Sequence, residues 1–357
     1  MCLQVLSSFE RPFALEADVN QKGFEKDSNL LIVTLSETDL NNDCVLCYTV
    51  FGRIELAVLA RVERGDTISD LARDLDRSES HISRAVSSLA EKGFVYRERD
   101  GRRKRLIPSD SRAVELYQDL IRQHPHIAFS ELLSGKAVEV LYYLDEPRTV
   151  AEIAEKSGNY RNTVNRVLKR FRDRGLVGRE DGYYDFTGKF GQLNEFAREV
   201  SHHFHRRRLE SVASKGTILW ESYDEFLAQT ATEIEDESFH ETGLAQFGAF
   251  GLQFLLTSHR YYLYSENCEE ISPAELCCHT LVVDNGSRHR SYCLLLLTHI
   301  EVPESELRTE AEKYGVEEEI DGLIRYLETE GVVEGYQLPE WDEFQELTRE
   351  YGVAVER

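Results

Sequence analysis

An arginine on the polar side of a helix can grip a guanine edge through two parallel hydrogen bonds or neutralise a phosphate, and this chain offers that chemistry twice. Arg84 and Arg166 stand 82 positions apart in similar surroundings. Beside Arg84 lie Ser80, His81 and Ser83, short polar side chains that would let a helix approach base edges closely. Beside Arg166 lie Arg161, Asn162, Asn165, Lys169 and Arg170. Asn165 suits adenine, and Lys169 with Arg170 suits phosphate. A third cluster, Arg102, Arg103, Lys104 and Arg105, places four consecutive cations next to an expected turn, which suits the minor groove or the sugar-phosphate backbone. The partner these groups imply is double-stranded DNA.

The elements that must hold these residues form an internal repeat: residues 56–98 align without a gap on residues 138–180. TISDLARDLDRSESHISRAVSSLAEKGFVYRE lies over TVAEIAEKSGNYRNTVNRVLKRFRDRGLVGRE. Thr67 matches Thr149, Ala72 matches Ala154, Gly93 matches Gly175 and Arg97 matches Arg179. Apolar residues recur at helical spacing, Ile82, Ala85, Val86 and Leu89 in one unit and Val164, Val167, Leu168 and Phe171 in the other. Thr67, Thr149 and Ser78 stand where N-caps are wanted, and Gly93 and Gly175 where a left-handed C-cap is wanted. Each unit therefore reads helix, turn, helix, strand. FVYRERDGRRKRLIP alternates and turns at Asp100-Gly101; GREDGYYDFTG turns at Asp181-Gly182 with fewer cations and three acids.

On these residues the chain resembles the winged helix-turn-helix superfamily, in particular bacterial and archaeal transcription regulators of the MarR and related types. The resemblance covers roughly 130 of 357 residues. It implies two tandem winged units in one chain, able to read two neighbouring half-sites. Two connecting helices are expected. One covers 111–124, with Val114, Tyr117, Leu120 and Ile121 on one side; the other covers 191–213, with Leu193, Phe196, Val200 and Phe204. Either packs subunits into a homodimer or covers its own hairpins. His202, His203 and His205 read as exposed residues of the second helix, near phosphate.

Charge divides the chain. Residues 1–215 hold 34 Lys plus Arg against 34 Asp plus Glu, whereas residues 216–357 hold 8 against 31, so the whole formal charge of −23 lies in the second part. With 32 Arg but only 10 Lys, the composition suits hydration in concentrated salt, as in a haloarchaeal protein. The acidic part reads as an α+β module, with strands in TILWESYDEFL and RYYLYSEN. Gly243, Gly248 and Gly251 read as turn and packing glycines rather than a phosphate loop. AEKYGVEEEIDGLIRYLETEGVV repeats the two-helix rhythm with Ile320, Leu323, Ile324 and Leu327 inward. Its Glu317, Glu318 and Glu319 stand where a DNA reader needs donors, so this third unit would repel phosphate. Thr242-Gly243, the aromatic strand and LRTEAEKYG are similar to the C-terminal portion of abortive-infection antitoxins. That resemblance implies a toxin-neutralising module that opposes a nucleotidyltransferase and autoregulates its operon.

The fold class expected is mainly α with small β-wings plus a C-terminal α+β acidic domain. Its parts are an N-terminal segment (1–48, where NLLIVTLS suggests a strand), two winged units (49–127 and 128–214) and the acidic module (215–357). Catalysis is not expected: residues 216–357 hold one lysine, Lys313, at the wrong spacing from its acids for a nuclease, and no Gly-x-Ser-x-Gly elbow occurs. No cofactor or metal is implied. Cys44 and Cys47 lack a second pair, and Cys277, Cys278, His279, His289, Cys293 and His299 could sense metal or oxidant only by converging, burial being the plainer reading. An odd set of seven cysteines argues for reduced thiols in the cytoplasm. The longest apolar run, Tyr292–Leu297, is too short to span a bilayer. The protein is thus expected to regulate transcription by sequence-specific DNA binding, its acidic module taking an effector or partner.

Overall fold

The computed structural model describes residues 50–100, 103–255, 258–333 and 337–353, with backbone alone at Asp100 and Arg103. Repeat one comprises α1 (Arg53–Leu59), α2 (Ile68–Asp74), α3 (Glu79–Glu91) and a hairpin of β1 (Val95–Asp100) with β2 (Arg103–Pro108). α4 (Arg112–Gln123) and the one-turn α5 (Phe129–Leu132) lead to repeat two. There α6 (Ala137–Tyr142), α7 (Val150–Lys156) and α8 (Arg161–Arg172) precede a hairpin of β3 (Val177–Glu180) with β4 (Tyr183–Phe186). The same order of elements thus occurs twice.

Local chemistry fixes the ends of these helices. Thr67 accepts from the Asp70 N–H while the Asp70 carboxylate accepts from the Thr67 N–H; Thr149 and Glu152 repeat the arrangement. Ser78 accepts from the His81 N–H at 3.4 Å. Gly93 and Gly175 end the second helices at φ +78° and +70°, a region that a Cβ penalises. Inward residues match the expected stripes: Ile82, Ala85, Val86 and Leu89 are buried, as are Val164, Val167, Leu168 and Phe171.

Each hairpin is also hydrogen-bonded to the residue before its capping threonine. The Leu106 N–H donates to Asp66 O at 2.8 Å, and the Tyr184 N–H to Arg148 O at 2.8 Å, the two acceptors standing at aligned positions of the repeats. That anchor sets the register. In repeat two Asp181 and Gly182 both take positive φ, 49° and 94°, the geometry of a type I′ turn. In repeat one Asp100 pairs with Arg103, so Asp100 ends β1, and the expected turn at Asp100-Gly101 runs into residues outside those described. Arg103, Lys104 and Arg105 consequently belong to β2 rather than to the tip.

One apolar cluster spans both repeats, from Val50 to Phe204, and takes in Tyr223. It is centred on aromatic contacts that bring in the 21-residue helix α9 (Gln192–Val212): Phe51 meets Phe94 at 5.1 Å, and Tyr117 meets Phe196 at 5.5 Å. The Tyr117 hydroxyl donates to Leu56 O. Leu193, Phe196, Val200 and Phe204 of α9 all face this core, so its apolar side is consumed within the chain.

After α9 a four-stranded antiparallel sheet has the order β5-β6-β8-β7, with β5 (Gly216–Glu221), β6 (Phe226–Thr230), β7 (Phe239–Thr242) and β8 (Arg260–Tyr264). Alternation assigns its two faces. Phe226, Ala228, Tyr262 and Tyr264 pack on Leu209 and Ala213 at the end of α9; Leu227 and Leu263 pack on the helical layer. That layer contains α10 (Pro273–Val283), α11 (Ser287–His299), α12 (Glu304–Tyr314), α13 (Glu317–Glu328) and α14 (Trp341–Glu350). α12 and α13 form the expected third helix pair, with Ile320 and Leu323 buried, but no hairpin follows among the described residues. Among those residues no helix is long and apolar enough to cross a membrane.

The three α9 histidines depart from the sequence reading. A helix with one core on its first half and a sheet on its second turns His205 fully inward and leaves His202 and His203 half-buried. His203 Nε2–H donates to Lys92 O at 2.9 Å and its ring stacks on Phe94; His205 is 1% exposed and shares Glu221 with His202. The Glu221 carboxylate is held down to about 2: burial would raise it, but hydrogen bonds from His202 and His205 overcome this. The same bond from Glu221 raises His202, whereas burial lowers His203.

Two predictions follow from these contacts. The stability that His202 contributes is complete below its unfolded value near 6.5 and is lost as pH rises through its raised folded value. Thermal melts should therefore show His202→Gln losing stability relative to the parent at pH 6 but not at pH 9; an equal difference at both would sink the assignment. At Gly175 an added Cβ meets open space, whereas at Gly93 it would overlap the Arg207 side chain, whose guanidinium donates to Glu91 O at 3.1 Å. Gly175→Ala should cost about 1–2 kcal/mol in urea titrations from positive φ alone, and Gly93→Ala about 1 kcal/mol more.

Candidate nucleic-acid interface

In repeat one Ser80, His81 and Arg84 are exposed along α3, and Ser83 is half-buried. Ser87, one turn further on, donates to Ser83 O and accepts from Arg97 of β1 at 2.7 Å, which ties the hairpin to the helix. Strand alternation then places Arg97, Arg99 and Lys104 on the hairpin face that reaches α3. Arg99 and Lys104 are directly opposed across the ladder, and both are exposed. Like charges at such a pair destabilise a hairpin unless an anion lies over them. Arg97 and Arg99 were absent from the expected set, although the alternation in VYRERD contains the signal.

The expected cluster of four is divided by this geometry. Lys104 is exposed. Arg105 is half-buried and donates to Gly65 O at 3.0 Å, so it braces the root of the hairpin instead of crowning its tip. Arg102 lies outside the described residues, as do Cys44 and Cys47, and Arg103 is described by its backbone only.

In repeat two Arg161, Asn162, Asn165, Arg166 and Lys169 are all exposed, and their spacing puts them along one side of α8. The first turn carries no acid. Arg170 departs from expectation. It falls one position past this stripe, toward α5, where its guanidinium donates to Leu132 O at 2.7 Å and Ser134 O at 3.2 Å. It closes the carboxyl end of α5 rather than a phosphate site.

One further residue emerges only from the structure. Tyr160 occupies the N-cap of α8, offers no side-chain cap and is 86% exposed, whereas Ser78 caps α3 at the aligned position. An uncapped helix with a naked aromatic ring gives up about 1 kcal/mol. Such a ring beside Arg161 and Asn162 suits stacking or sugar contact. Tyr183, half-exposed at the tip of the second hairpin, adds another, beside the exposed acids Glu180, Asp181 and Asp185.

The acidic module presents different chemistry. Glu317 and Glu318 are exposed in the first turn of α13. Cys277, Cys278 and Cys293 are buried in the apolar layer, where burial pushes the Cys278 thiol up. His279, fully buried and pushed down to about 3 by desolvation, shares a 2.8 Å hydrogen bond with Thr242, which locks the sheet edge to α10. Among the described residues no group of three or more His, Cys, Asp and Glu is placed to hold a metal ion.

Two family models match parts of the chain. The family described as HVO_A0114 covers residues 53–112, which takes in α1 to α3 and the first hairpin; the C-terminal family described as HVO_2833_C covers residues 236–353, from the third strand of the sheet to α14. Neither range includes repeat two. No curated protein and no solved structure matches the chain.

Restoring the missing cap separates stability from contact. Tyr160→Ser should raise the unfolding free energy by about 1 kcal/mol. The same variant should weaken duplex binding roughly fivefold, near 1 kcal/mol. Unchanged binding in a stabilised protein would remove Tyr160 from the interface.

Proposed function

We propose that this chain is a sequence-specific double-stranded DNA-binding transcription regulator, built on tandem winged helix-turn-helix units and carrying an acidic C-terminal module for an effector or partner. The observation that supports it best is the arrangement of cations that have no ion pair with any described residue, in a chain of net charge −23: Arg99 opposite Lys104 on one hairpin, and Arg161, Arg166 and Lys169 along one side of α8. Self-repelling cations amid excess acid favour an external polyanion.

In this reading α3 and α8 enter successive major-groove segments. Arg84 and Arg166 take guanine edges, Asn165 takes adenine, and Ser80, His81, Ser83, Arg161 and Asn162 fill in around them. Arg97, Arg99, Lys104 and Lys169 neutralise phosphate. Glu317 and Glu318 turn the third helix pair away from DNA and toward a protein, a role that an antitoxin-like module would share. With the apolar side of α9 already covered, a partner or second copy would use the acidic module.

The test is fluorescence anisotropy of the full chain on its own upstream DNA and on a scrambled duplex, across a salt series. Arg166→Ala and Arg84→Ala should each lose about 1–3 kcal/mol on the preferred duplex and little on the scrambled one. Lys104→Ala should weaken both equally and lower the salt slope by about one. No preference in the parent protein would overturn the DNA reading and leave partner binding as the chain's main role.

A further inference from the structure

Inside the acidic module a cavity of about 640 Å³ opens at the edge of the sheet, between β7, β8, the end of α10 and the start of α11. Its size falls in the range of small-molecule sites. Tyr261 of β8 gives it an aromatic wall, and Leu244 and Val283 add apolar surface. That ring is fixed in place: Gly243 lies so close that a Cβ there would stand 3.3 Å from it. A wall already ordered costs a ligand little on binding.

The charges give the occupant its sign. Arg260 is the one Lys or Arg lining the cavity among the described residues, and it is shared by two acids, Glu241 at 2.8 Å and Glu233 at 3.3 Å. Arg288 and Arg290, which flank His289 in sequence, donate instead to the Tyr292 hydroxyl and to Asn285 Oδ1. Of the two imidazoles, His259 is exposed, and burial lowers His289, which is neutral at about pH 8. Asp284 is the acid left over. Its Oδ1 accepts from the Gly286 N–H at 2.9 Å, while Oδ2 stands 3.2 Å from His289 Nδ1 but out of hydrogen-bond alignment. The Asp284 charge also reaches the aromatic wall: burial first, and Asp284 second, raise the Tyr261 phenol. α10 ends close to where α11 begins, so their opposite end charges offset one another and the side chains decide. A cation is favoured here over an anion.

We infer that this cavity binds a small aromatic amine in its ammonium form, with the ring against Tyr261 and the ammonium on Asp284. Arg260 opposes that occupant, because it cancels the charge of Glu241. The inference names a chemical class for the effector of the acidic module and rests on that part of the proposed function. Binding at this site needs no DNA, so a titration without DNA can fail while the duplex preference stands, and the reverse.

Phenethylamine titrated calorimetrically into the full chain, at about pH 8 and in about 0.5 M salt to screen the acidic surface, should bind saturably with Kd of about 1 mM or tighter. Phenylethanol, without the charge, should bind about tenfold more weakly, and cyclohexylethylamine, without the aromatic face, about threefold. Asp284→Asn keeps an acceptor for the Gly286 N–H and should weaken phenethylamine about fivefold or more, with unchanged melting as the control for folding. Arg260→Gln releases Glu241 and should tighten it several-fold, an effect that mere structural damage would not produce. Equal affinity for phenethylamine and either analogue, no loss in Asp284→Asn, no tightening in Arg260→Gln, or no saturable binding would each overturn the assignment.

Discussion

The carboxyl end of α3 is closed by side chains that come from more than a hundred residues away, and the arrangement of the chain depends on that contact. A helix end leaves carbonyls without partners. Here His203 takes Lys92 O and Arg207 takes Glu91 O, both from α9. Arg207 approaches so closely that Gly93 has no room for a Cβ, and the following Phe94 stacks on the His203 ring. Two residues further on, His205 turns to Glu221 on the sheet, and Leu209 lies beneath it. A single helix thus serves the core of both repeats and the face of the sheet, so the position of the acidic module is tied to the end of α3.

The two halves differ in what they do with charge. Acids in the repeats are mostly engaged in structure: Asp70 and Glu152 close capping boxes, and Glu55 holds Lys92 at 2.8 Å in a half-buried pair while accepting from the Gly52 N–H. That leaves arginines in excess on the outer faces of α8 and the first hairpin. In the module the acids outnumber their partners instead, and Lys313, held between Glu225 and Glu275, cannot neutralise its surroundings. The division of charge is therefore a division of surfaces.

The repeats were legible because local rules decide them. Apolar spacing named every buried position of α3 and α8, the capping threonines marked the helix starts, and Gly93 and Gly175 marked the ends. The α/β mixture of the module was legible too, from aromatic strand segments, but not the order β5-β6-β8-β7, which is set by pairings distant in sequence. Other misreadings share one cause. Arg105, Arg170 and the α9 histidines look like surface groups in any local window, and each is taken inward by a backbone carbonyl or carboxylate supplied from elsewhere in the chain. Tyr160 could have been found in the alignment itself, as the aromatic that replaces the capping Ser78.

Because both repeats are written in one chain on one core, a substitution in either is made once, whereas in a pair of identical chains every change is inherited by both partners. The copies have been free to drift apart. Repeat one keeps serines on its helix and carries its cations on the hairpin; repeat two carries them on the helix and has let its hairpin turn acidic. One chain can thus present two different surfaces on one repeated scaffold, a freedom that a symmetric pair of identical chains does not have.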